Sequence, residues 1–353
     1  MNFINKNYFF IRNRRVGYLG DVLIIAELGI NHQGSLKLAK KMANLAIKNG
    51  ADVIKNQTHL ADEEMSLEAK KIKPGNSKHP IYKIIKENSL SLDDEIILKK
   101  YVEKKGAIYM STPFSIKASN FLNEIGVDLF KIGSGECNNY ELIDHVSKFK
   151  KPMIISTGMN NVESINKAVK IIRKNKCPGY ALLHTTNLYP TPNKRVRLNC
   201  LKILNDKFKD ACIGLSDHTR SNFSSYGAIT LGCQIIERHF TDTKKRRGPD
   251  ISCSMTPEEL KELKKGSLLI RESLIQGKKE GIKEEHVTQK FAFASVVTIK
   301  KIKAGSKFTR QNIGLKRPGT GHYSSNDYLK ILGKKAKSNI EPNIQLKKNS
   351  IIF

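Results

Sequence analysis

ACIGLSDHT (residues 211–219) and CQIIERHFTD (residues 233–242) decide the fold of this chain, because each resembles a buried strand that is followed or ended by a histidine. The segment between them, residues 221–232, has the length and apolar spacing of one helix. A strand, a helix and a strand in this order form a right-handed βαβ unit whose strands are parallel neighbours. His218 and His239 would then emerge on the same side of the sheet. The stretch therefore predicts a parallel sheet with one metal ion shared by these two imidazoles.

The same alternation extends from residue 22 to about residue 275, with short β-branched runs separated by helical patterns. Eight βα units in residues 22–276 match the count and size of a (β/α)₈ barrel, so we predict a TIM barrel of the α/β class. A doubly wound open sheet is the alternative, but no glycine-rich phosphate loop follows the first strand. The predicted strands are VLIIAEL, ADVIKNQ, AIYMS, DLFKIGS, PMIIST, YALLHTT, CIGLS and QIIERHF.

Two further regions flank the predicted barrel. Residues 1–21 are predicted to form a short hairpin across its closed end. Residues 277–286 belong to a charged, glycine-containing stretch, QGKKEGIKEEHVTQKF, which we interpret as a linker. Residues 287–353 are turn-rich, with brief strands and a single helix around SSNDYLKILG, and predict a small β-rich module. A core of that size gains stability from docking onto another surface.

The charge of the chain is extreme, because 62 Lys and Arg stand against 33 Asp and Glu for a net charge of +29. Such a balance points to a polyanionic partner when taken alone. The basic residues are scattered along helical stretches, however, and no nucleic-acid motif stands out. We interpret them as solvated lysine-rich helix faces that also attract anionic substrates, and we do not expect a nucleic-acid partner.

The cysteines and the amino terminus indicate a cytoplasmic protein. The six cysteines contain no Cys-x-x-Cys pair and mostly lie in apolar runs, which is typical of buried thiols in a reducing compartment. The order of the apolar YFFI and the basic RNRR is wrong for a signal peptide, and no stretch is long enough to span a membrane.

Polar side chains gather where each predicted strand ends, which is the catalytic face of a TIM barrel. There are more of them than packing requires. In chain order they are Glu27, Asn31, Lys55, Gln57, Thr112, Lys131, Ser134, Glu136, Ser156, Thr157, Asn187, Tyr189, Ser216, His218, Glu237 and His239.

With the strand ends assembled, the chain closely resembles the bacterial sialic acid synthases along nearly its whole length. The matching strings are AELGINHQGS, KNQTHLADEEMS, PGNSKHPIY, STPFS, KIGSGECNNYELI, STGMN, TTNLYPTP, GLSDHT, ERHFTD, GPDISCSM and FAFASVV. KRPGTG in the tail is similar to the antifreeze-like (SAF) domain of those enzymes, and KIGSGECNNY favours their N-acetylneuraminate branch. One departure is Asn56, which occupies a position where the family pattern has His.

The resemblance implies a fold, a reaction and a metal. The fold is a TIM barrel followed by an antifreeze-like domain, and the reaction joins phosphoenolpyruvate to the open-chain aldehyde of N-acetylmannosamine. Water completes the reaction, giving N-acetylneuraminate and phosphate by C–O cleavage. His218 and His239 would hold a divalent ion that polarises the aldehyde, with Mn²⁺ our first choice and Mg²⁺ or Co²⁺ as alternatives. Zinc is a poorer fit, because no third His or Cys completes a usual set.

The remaining roles follow from this chemistry. We expect Lys55 and Lys131 to bind the phosphate and carboxylate of phosphoenolpyruvate. Glu136 is our candidate for the carboxylate that takes the proton of the attacking water, with Glu27 as the second choice, and Tyr189 is expected to orient the substrates. The other expected substrate-binding residues of the barrel are Gln57, Asn76, Thr112, Ser134, Ser156, Asn187, Ser216 and Asp250.

The tail carries one more expectation from the resemblance. In the similar enzymes the antifreeze-like domain swaps across a homodimer and places an Arg over the partner's active site. Arg317 of KRPGTG is the matching residue, and Phe291 and Phe293 would line the same region. The alternative is that Arg317 only supports the turn before Pro318.

Three other functions stay open on the sequence alone. A legionaminate or pseudaminate synthase would act on a 2,4-diacetamido hexose instead of N-acetylmannosamine. A basic polyanion-binding protein would show no metal-dependent turnover and a steep dependence of binding on salt. A condensing enzyme that makes a 3-deoxy-ulosonate from a phosphorylated aldose would not need the C-terminal module.

Overall fold

The eight predicted strands are buried almost throughout and form one parallel sheet in the computed structural model, which describes residues 6–75, 77–274 and 277–352. A parallel sheet is covered on both faces by its crossover helices, which explains the near-continuous apolar runs in these strands. In chain order the strands of the molecule are β1 (Tyr8–Ile11), β2 (Arg14–Gly17), β3 (Leu23–Glu27), β4 (Val53–Thr58), β5 (Ile108–Pro113), β6 (Phe130–Ile132), β7 (Met153–Ser156), β8 (Tyr180–Thr185), β9 (Cys212–Ser216), β10 (Ile235–His239), β11 (Ser295–Thr298), β12 (Ile313–Lys316), β13 (Lys335–Ala336) and β14 (Ile351–Ile352).

Helices alternate with these strands and form the outer layer. Several begin at a side-chain cap, as α10 does at Thr256, whose hydroxyl accepts a hydrogen bond from the Glu259 amide. The helices are α1 (Leu36–Lys48), α2 (Ala61–Glu64), α3 (Ile81–Asn88), α4 (Leu92–Lys104), α5 (Ile116–Glu124), α6 (Tyr140–Ser147), α7 (Val162–Lys174), α8 (Asn199–Lys207), α9 (Phe223–Thr230), α10 (Pro257–Ser273), α11 (His286–Ala292) and α12 (Tyr328–Ile331).

The order of the strands in the sheet is β5-β4-β3-β10-β9-β8-β7-β6, and β5 and β6 at its two ends lie beside each other. The sheet therefore curls into a nearly closed barrel. This cyclic order confirms the TIM-barrel prediction and excludes the doubly wound open sheet, in which the strand order reverses. Strands β9 and β10, which carry or precede the two histidines, are parallel neighbours as predicted, with Ile235 opposite Gly214.

Every second residue of a barrel strand points inward, so each strand places apolar and polar side chains at fixed heights. The lower inward layer is apolar. Because inward side chains recur every second residue, Lys55 follows Val53 and Glu237 follows Ile235 on the inward face. Both charged residues lie nearer the carboxyl ends of their strands. The apolar layer, together with three hairpin residues, consists of Phe9, Ile11, Val16, Leu23, Ile25, Val53, Ile108, Met110, Leu129, Ile154, Ala181, Leu183, Cys212 and Ile235.

The N-terminal hairpin closes the amino end of the barrel. Strands β1 and β2 are antiparallel, with Phe9 opposite Val16, and both side chains are buried in the apolar layer described above. The hairpin passes close to Gly179, where a Cβ would lie 2.2 Å from the Cβ of Phe9. A residue with a side chain at position 179 would therefore displace the hairpin.

The chain divides into two compact units, Met1–Ile275 and Gln276–Phe353. The second unit has its own apolar core, which includes Val296, Phe308 and Ile331, and antiparallel pairs β11–β12 and β13–β14. One expectation was wrong here: the charged stretch interpreted as a linker contains helix α11, so this region has two helices instead of one. The helix follows a 3-10 turn at Lys283–Glu285 in which the Glu285 carboxylate accepts the Ile282 amide, a local cap that the charged composition hid.

The described residues contain no helix that is long and apolar enough to cross a membrane. All six cysteines are free, and Cys137, Cys212, Cys233 and Cys253 are buried. Burial raises the pKa of the Cys212 thiol to about 12. These thiols therefore behave as small apolar core groups.

Candidate active site

The carboxyl ends of the barrel strands surround a polar cavity of about 200 Å³, which we call the inner cavity. Residues from all these strand ends except β3 contribute to its wall. Those predicted from the sequence that line it are Lys55, Gln57, Thr112, Lys131, Ser134, Ser156, Asn187, Tyr189, Ser216, His218 and His239.

Two buried lysines and two buried carboxylates form one ionic cluster at the base of this cavity. The ammonium of Lys55 forms an ion pair with Glu27 and lies 3.9 Å from Oε1 of Glu237. The Nζ of Lys131 lies 3.6 Å from the same Glu237 oxygen and donates a hydrogen bond of 2.7 Å to Ser156. These four side chains are only 2–7% exposed. The charges are thus held in place before any substrate arrives.

The cluster moves the pKa of each member. Burial lowers the pKa of Lys131 to about 8, against the attraction of Glu237. Burial also opposes the charge of Lys55, but Glu237 and Glu27 raise its pKa above the ordinary value. Burial raises the pKa of Glu27 to about 7, whereas Lys131 and Lys55 lower the pKa of Glu237 despite burial. The pKa of Glu27 is raised although Glu27 pairs with Lys55, because burial outweighs the attraction of that lysine and the nearby Glu237 repels a second negative charge.

Of the two carboxylates, Glu237 is therefore the more readily ionised, while burial favours the protonated form of Glu27. Two lysines at the base of the cavity offer positive charge to a small anion. Hydroxyl groups of Thr112, Ser156 and Ser216 lie next to these charges, with Lys55 Nζ 3.4 Å from Thr112 Oγ1 and Ser216 Oγ 3.1 Å from Glu237 Oε1. The inner cavity is therefore an anion site with neutral donors around it.

The two histidines lie side by side, with their ring centroids 5.4 Å apart. The Nδ1 of His218 donates a hydrogen bond of 3.0 Å to the carbonyl of Thr186, which leaves the lone pair of Nε2 free. Burial lowers the pKa of His218 to about 4 and that of His239 to about 3, so both imidazoles are neutral, as metal ligation requires. The Oδ2 atom of Asp250 lies 3.8 Å from the Nδ1 of His239.

A divalent cation fits this donor set. The Nδ1 of His239, the Oδ1 of Asn187 and the Oε2 of Glu237 are buried and lack a hydrogen-bond partner within the described residues. Buried polar atoms in native proteins are almost always paired, so such orphaned atoms indicate a missing ligand. The part of the chain that the structure describes has no group of three or more His, Cys, Asp or Glu side chains that could hold a metal ion. Two imidazoles with open positions beside them are the kind of donor set that a catalytic metal site uses, with water or substrate as further ligands.

A second, larger cavity of about 840 Å³ lies next to the inner one and is called the outer cavity here. The two share Gln57, Phe114, Asn187 and Tyr189 as walls. Asp250 lines the outer cavity, and burial raises its pKa to about 6. The apolar wall of the outer cavity consists of Ile30, Met65, Pro74, Ile81, Ile84, Ile85, Met159, Leu188, Pro190, Pro192 and Pro249.

Tyr189 and Asn187 stand at the boundary between the two cavities. The ring of Tyr189 lies 4.3 Å from that of His218, and burial raises the pKa of its hydroxyl, so Tyr189 remains a neutral donor. Asn187 comes so close to Gly158 that a Cβ there would lie 1.8 Å from its Oδ1. The glycine of STGMN is therefore needed to admit the Asn187 amide.

Glu27 and Glu136 line neither cavity, although both are among the described residues. Glu27 lies opposite Lys55 on the neighbouring strand β3 and forms an ion pair with it. The carboxylate of Glu136 accepts a hydrogen bond of 2.7 Å from Asn139. Burial raises the pKa of Glu136, Glu64 adds to this effect and His59 opposes it, so Glu136 lies near those two residues and away from the lysines.

The structure does not test three other predicted residues. Asn76 lies outside the described residues, although the preceding Gly75 lines the outer cavity. Phe291 and Arg317 belong to the second unit, where both side chains are exposed. Their predicted role at a partner's site stays a prediction.

Asn56, the departure from the family pattern, points away from the inner cavity. It alternates with Lys55 and Gln57 on β4, and its Oδ1 lies 3.1 Å from Nε2 of the buried His32. Asn56 therefore contacts the turn after β3 and does not form part of the wall of the inner cavity.

Sequence reasoning missed the roles of Glu237, His59 and Glu64. Glu237 was seen at a strand end, but its contacts to both lysines depend on the barrel register. The sequence indicated this role in one way: in the string ERH (residues 237–239), side chains alternate between the two faces of the strand. Glu237 and His239 therefore share a face. His59 and Glu64 lie in the quoted KNQTHLADEEMS, yet nothing in that string shows that their side chains meet.

A nearly closed (β/α)₈ barrel with charged side chains at its carboxyl ends and a separate C-terminal module defines a barrel enzyme. The comparisons with known proteins agree: the NeuB family matches residues 42–279 and the SAF domain matches residues 293–351. The chain belongs to the NeuB family and carries a C-terminal SAF domain.

Several relatives are similar along nearly their whole length. The N,N'-diacetyllegionaminic acid synthase of Campylobacter jejuni is 38% identical over 325 residues, covering 90% of this chain and 96% of that protein. The human N-acetylneuraminate-9-phosphate synthase is 31% identical, covering 93% of this chain and 92% of that one. The crystal structure of the N-acetylneuraminic acid synthetase of Leptospira borgpetersenii has a TM-score of 0.73 at 30% identity, covering 80% of this chain and 95% of that one. These relatives are sugar-acid synthases, and this chain is a sugar-acid synthase of the same family.

Proposed function

We propose that this enzyme condenses phosphoenolpyruvate with the open-chain aldehyde of N-acetylmannosamine and water, giving N-acetylneuraminate and phosphate. The observation that carries the proposal is the inner cavity, in which two buried lysines stand beside two neutral imidazoles. The first pair suits a small polyanion, and the second suits a cation that would polarise an aldehyde. The names of the human and Leptospira relatives support the same product class.

The anionic substrate would occupy the base of the inner cavity. Lys55 and Lys131 balance its phosphate and carboxylate, and the hydroxyls of Thr112, Ser134 and Ser156 donate to the remaining oxygens. Because these groups are fixed by the barrel strands, they bind the anion without reorganising. Carbon 3 of the substrate is then directed towards the boundary with the outer cavity, where the sugar would lie.

His218 and His239 would hold the divalent cation. When bound, this cation supplies a Lewis acid for the aldehyde oxygen of the sugar. The neighbouring Tyr189 hydroxyl and the Asn187 amide orient the sugar, and Asp250 accepts hydrogen bonds from its hydroxyls. Attack of carbon 3 on the aldehyde forms the carbon–carbon bond and leaves an oxocarbenium ion at carbon 2.

Water attacks the oxocarbenium ion at carbon 2. The tetrahedral intermediate that results then loses phosphate by breaking its C–O bond. A carboxylate must take the proton of that water. Glu27 is supported by its pKa of about 7 and its place beside Lys55, and Glu136 is supported by the resemblance. Glu27→Gln and Glu136→Gln distinguish them, because only the base variant should lose the carboxylate-dependent limb of the pH profile.

The direct test is release of phosphate from phosphoenolpyruvate in the presence of N-acetylmannosamine, with and without a chelator. We expect release that requires the sugar, stops after thorough chelation and returns best with Mn²⁺. Release that needs no sugar would contradict the condensation, and release that ignores chelation would contradict the metal role.

A second candidate acceptor is a 2,4-diacetamido hexose, as used to make legionaminate. Two observations favour it: the wall of the outer cavity is largely apolar, and the Campylobacter relative is 38% identical. An additional acetamido group and a 6-methyl group would bury more apolar surface there than hydroxyls do. If the same assay shows turnover with the 6-deoxy diacetamido sugar and none with N-acetylmannosamine, the diacetamido sugar is the substrate.

We also propose a domain-swapped homodimer in which Arg317 reaches a partner's site. Exposure of Phe291, Phe293 and Arg317 on the second unit supports this, because exposed aromatic and Arg side chains are typical of interfaces. Mixing an Arg317→Ala variant with a His239→Ala variant tests it. A swapped dimer should regain activity in mixed dimers, whereas an unswapped one would stay inactive after mixing.

A further inference from the structure

His59 is a buried residue of the barrel mouth that the proposed condensation does not use. It directly follows β4, and its side chain is held on three sides. Its Nδ1 lies 2.9 and 3.1 Å from the two carboxylate oxygens of Glu64, and its Nε2 lies 3.1 Å from Oε1 of Gln57. Its ring stacks on Phe114 with centroids 4.1 Å apart and planes 15° apart. Such a ring has one orientation only.

The hydrogen bonds of His59 have a fixed direction. A carboxylate can only accept, so Nδ1 of His59 donates to Glu64. The Gln57 carbonyl oxygen also only accepts, so its contact with Nε2 is a hydrogen bond when Nε2 carries a proton as well and His59 is the charged partner of Glu64. In that form of the ring, the NH₂ end of the amide is directed away from the histidine. The last torsion of a glutamine has no sharp preference of its own, so this amide would otherwise rotate. Glu64 thus fixes the ring, and the ring fixes the amide.

The amide held in this way occupies a decisive position. Gln57 and Phe114, the two side chains that His59 contacts besides Glu64, both line the inner and the outer cavity. Glu64 is 4% exposed in its side chain and lines the outer cavity with His59. The anion and the sugar must meet at this boundary.

We propose that Glu64 and His59 form a positioning dyad that holds the Gln57 amide at the boundary of the two cavities, where its NH₂ group recognises an acceptor oxygen of the sugar. The inference rests on the proposed function, because it requires an oxygen-rich acceptor in the outer cavity. Glu64 and His59 act through Gln57 and touch no reacting atom. The dyad determines how well the sugar binds and leaves the anion site unchanged.

The neighbouring glutamates of α2 provide a matched pair of variants. Glu63 is 44% exposed and forms a surface ion pair of 2.9 Å with Lys117, whereas Glu64 faces His59. Glu64→Gln should raise the KM for the sugar by about 10-fold or more, as loss of an orienting partner does, with the KM for phosphoenolpyruvate within about twofold of the wild type. Glu63→Gln should change neither value.

A double-mutant cycle with Gln57→Ala separates positioning from general structural damage. If the dyad acts through Gln57, then Glu64→Gln should have little further effect on the KM for the sugar once Gln57 is gone. Effects of the two substitutions that multiply independently, or an equal rise in both KM values, would overturn the dyad. Wild-type enzyme that releases no phosphate with any amino sugar would instead overturn the proposed function, and the dyad with it.

Discussion

The inward and outward faces of the same barrel strands are both polar near the carboxyl ends, but their polar groups are satisfied in different ways. On the outward face, Glu95 accepts hydrogen bonds of 2.6 Å from Thr58 and 2.8 Å from Tyr109. On the inward face, Lys131 and Glu237 belong to a cluster of four charges. Buried atoms without a hydrogen-bond partner occur on both faces of the described strands, Nδ2 of Asn56 and Nε of Arg238 outward and Oε2 of Glu237 inward, but Glu237 borders the inner cavity.

This difference indicates what each face contributes. A buried polar group with its partners in place holds two elements together, whereas one that lacks a partner is ready for a ligand at some cost in stability. Substitutions on the inward face should therefore reduce activity and spare stability, and substitutions on the outward face should do the reverse. Four experiments test this contrast.

The largest effect is expected for Lys131→Met on the inward face. We expect kcat/KM for phosphoenolpyruvate to fall on the order of 10³-fold, because a preorganised cation is lost. The free energy of unfolding should fall less than in the Arg238 variant below, because the cost of burying the Lys131 ammonium is removed and Glu237 keeps Lys55 as a partner. Steady-state kinetics and urea denaturation measure the two. Lys167→Met, at an exposed lysine of α7, is the control, and near-normal kinetics of the Lys131 variant would contradict the anion site.

On the outward face, Arg238→Met should destabilise the protein by about 3 kcal/mol. Arg238 donates 2.6 Å hydrogen bonds to Asn222 Oδ1 and the Thr219 carbonyl and lies 3.9 Å from Asp217, so its loss leaves buried acceptors and a buried charge without partners. Urea denaturation gives the value. Adding Asp217→Asn should recover part of the loss through coupling of the two sites. An unchanged free energy of unfolding would show that this network is dispensable.

The pH dependence of kcat/KM tests the inward cluster without removing any of its side chains. The protonated form of Lys131 binds the anion, and the pKa of this lysine is lowered to about 8, so kcat/KM should decline above about pH 8. The limb should approach a tenfold loss per pH unit, since kcat/KM reports groups of the free enzyme. Lys131→Arg, whose guanidinium stays charged, should move the limb to higher pH. A limb that stays in place would assign it to another group.

The smallest effect is expected for Tyr109→Phe, which removes one hydrogen bond to Glu95 and keeps the ring. We expect a loss of about 1–2 kcal/mol in the free energy of unfolding. Kinetic constants should stay within about twofold of the wild type, because the outward face does not touch either cavity. A large loss of kcat without loss of stability would remove the contrast between the two faces.

Much of this arrangement could be predicted from the sequence. The two histidine strands, the eight βα units and the period of two along each strand were enough for the barrel and for eleven residues of the inner cavity. Lys55 and Lys131 were recognisable because each follows an apolar run at a strand end. That logic depends only on local periodicity, which the chain retains from β3 to β10.

The rest depends on contacts between distant segments. Glu237 approaches both lysines only because the barrel register brings β4, β6 and β10 to one height. The contact between the Glu136 carboxylate and Asn139 depends on the conformation of the loop after β6, and the expected role of Glu136 stays a prediction. His59 and Glu64 are only five residues apart, and still their pairing required the short helix α2. Helix α11 was hidden because a charged composition describes solvent exposure and not backbone conformation.

The hairpin at the amino end has a consequence for biosynthesis. Phe9, Ile11 and Val16 are synthesised before Ile235 of the last barrel strand, yet all four belong to the same buried apolar cluster. During translation this apolar segment stays exposed while more than two hundred further residues are added. An exposed apolar strand is prone to self-association in that period. Arg12, Arg14 and Arg15 interrupt and flank it, and such charges act as gatekeepers against aggregation. The basic turn between β1 and β2 is therefore expected to limit self-association of this segment until the barrel is complete.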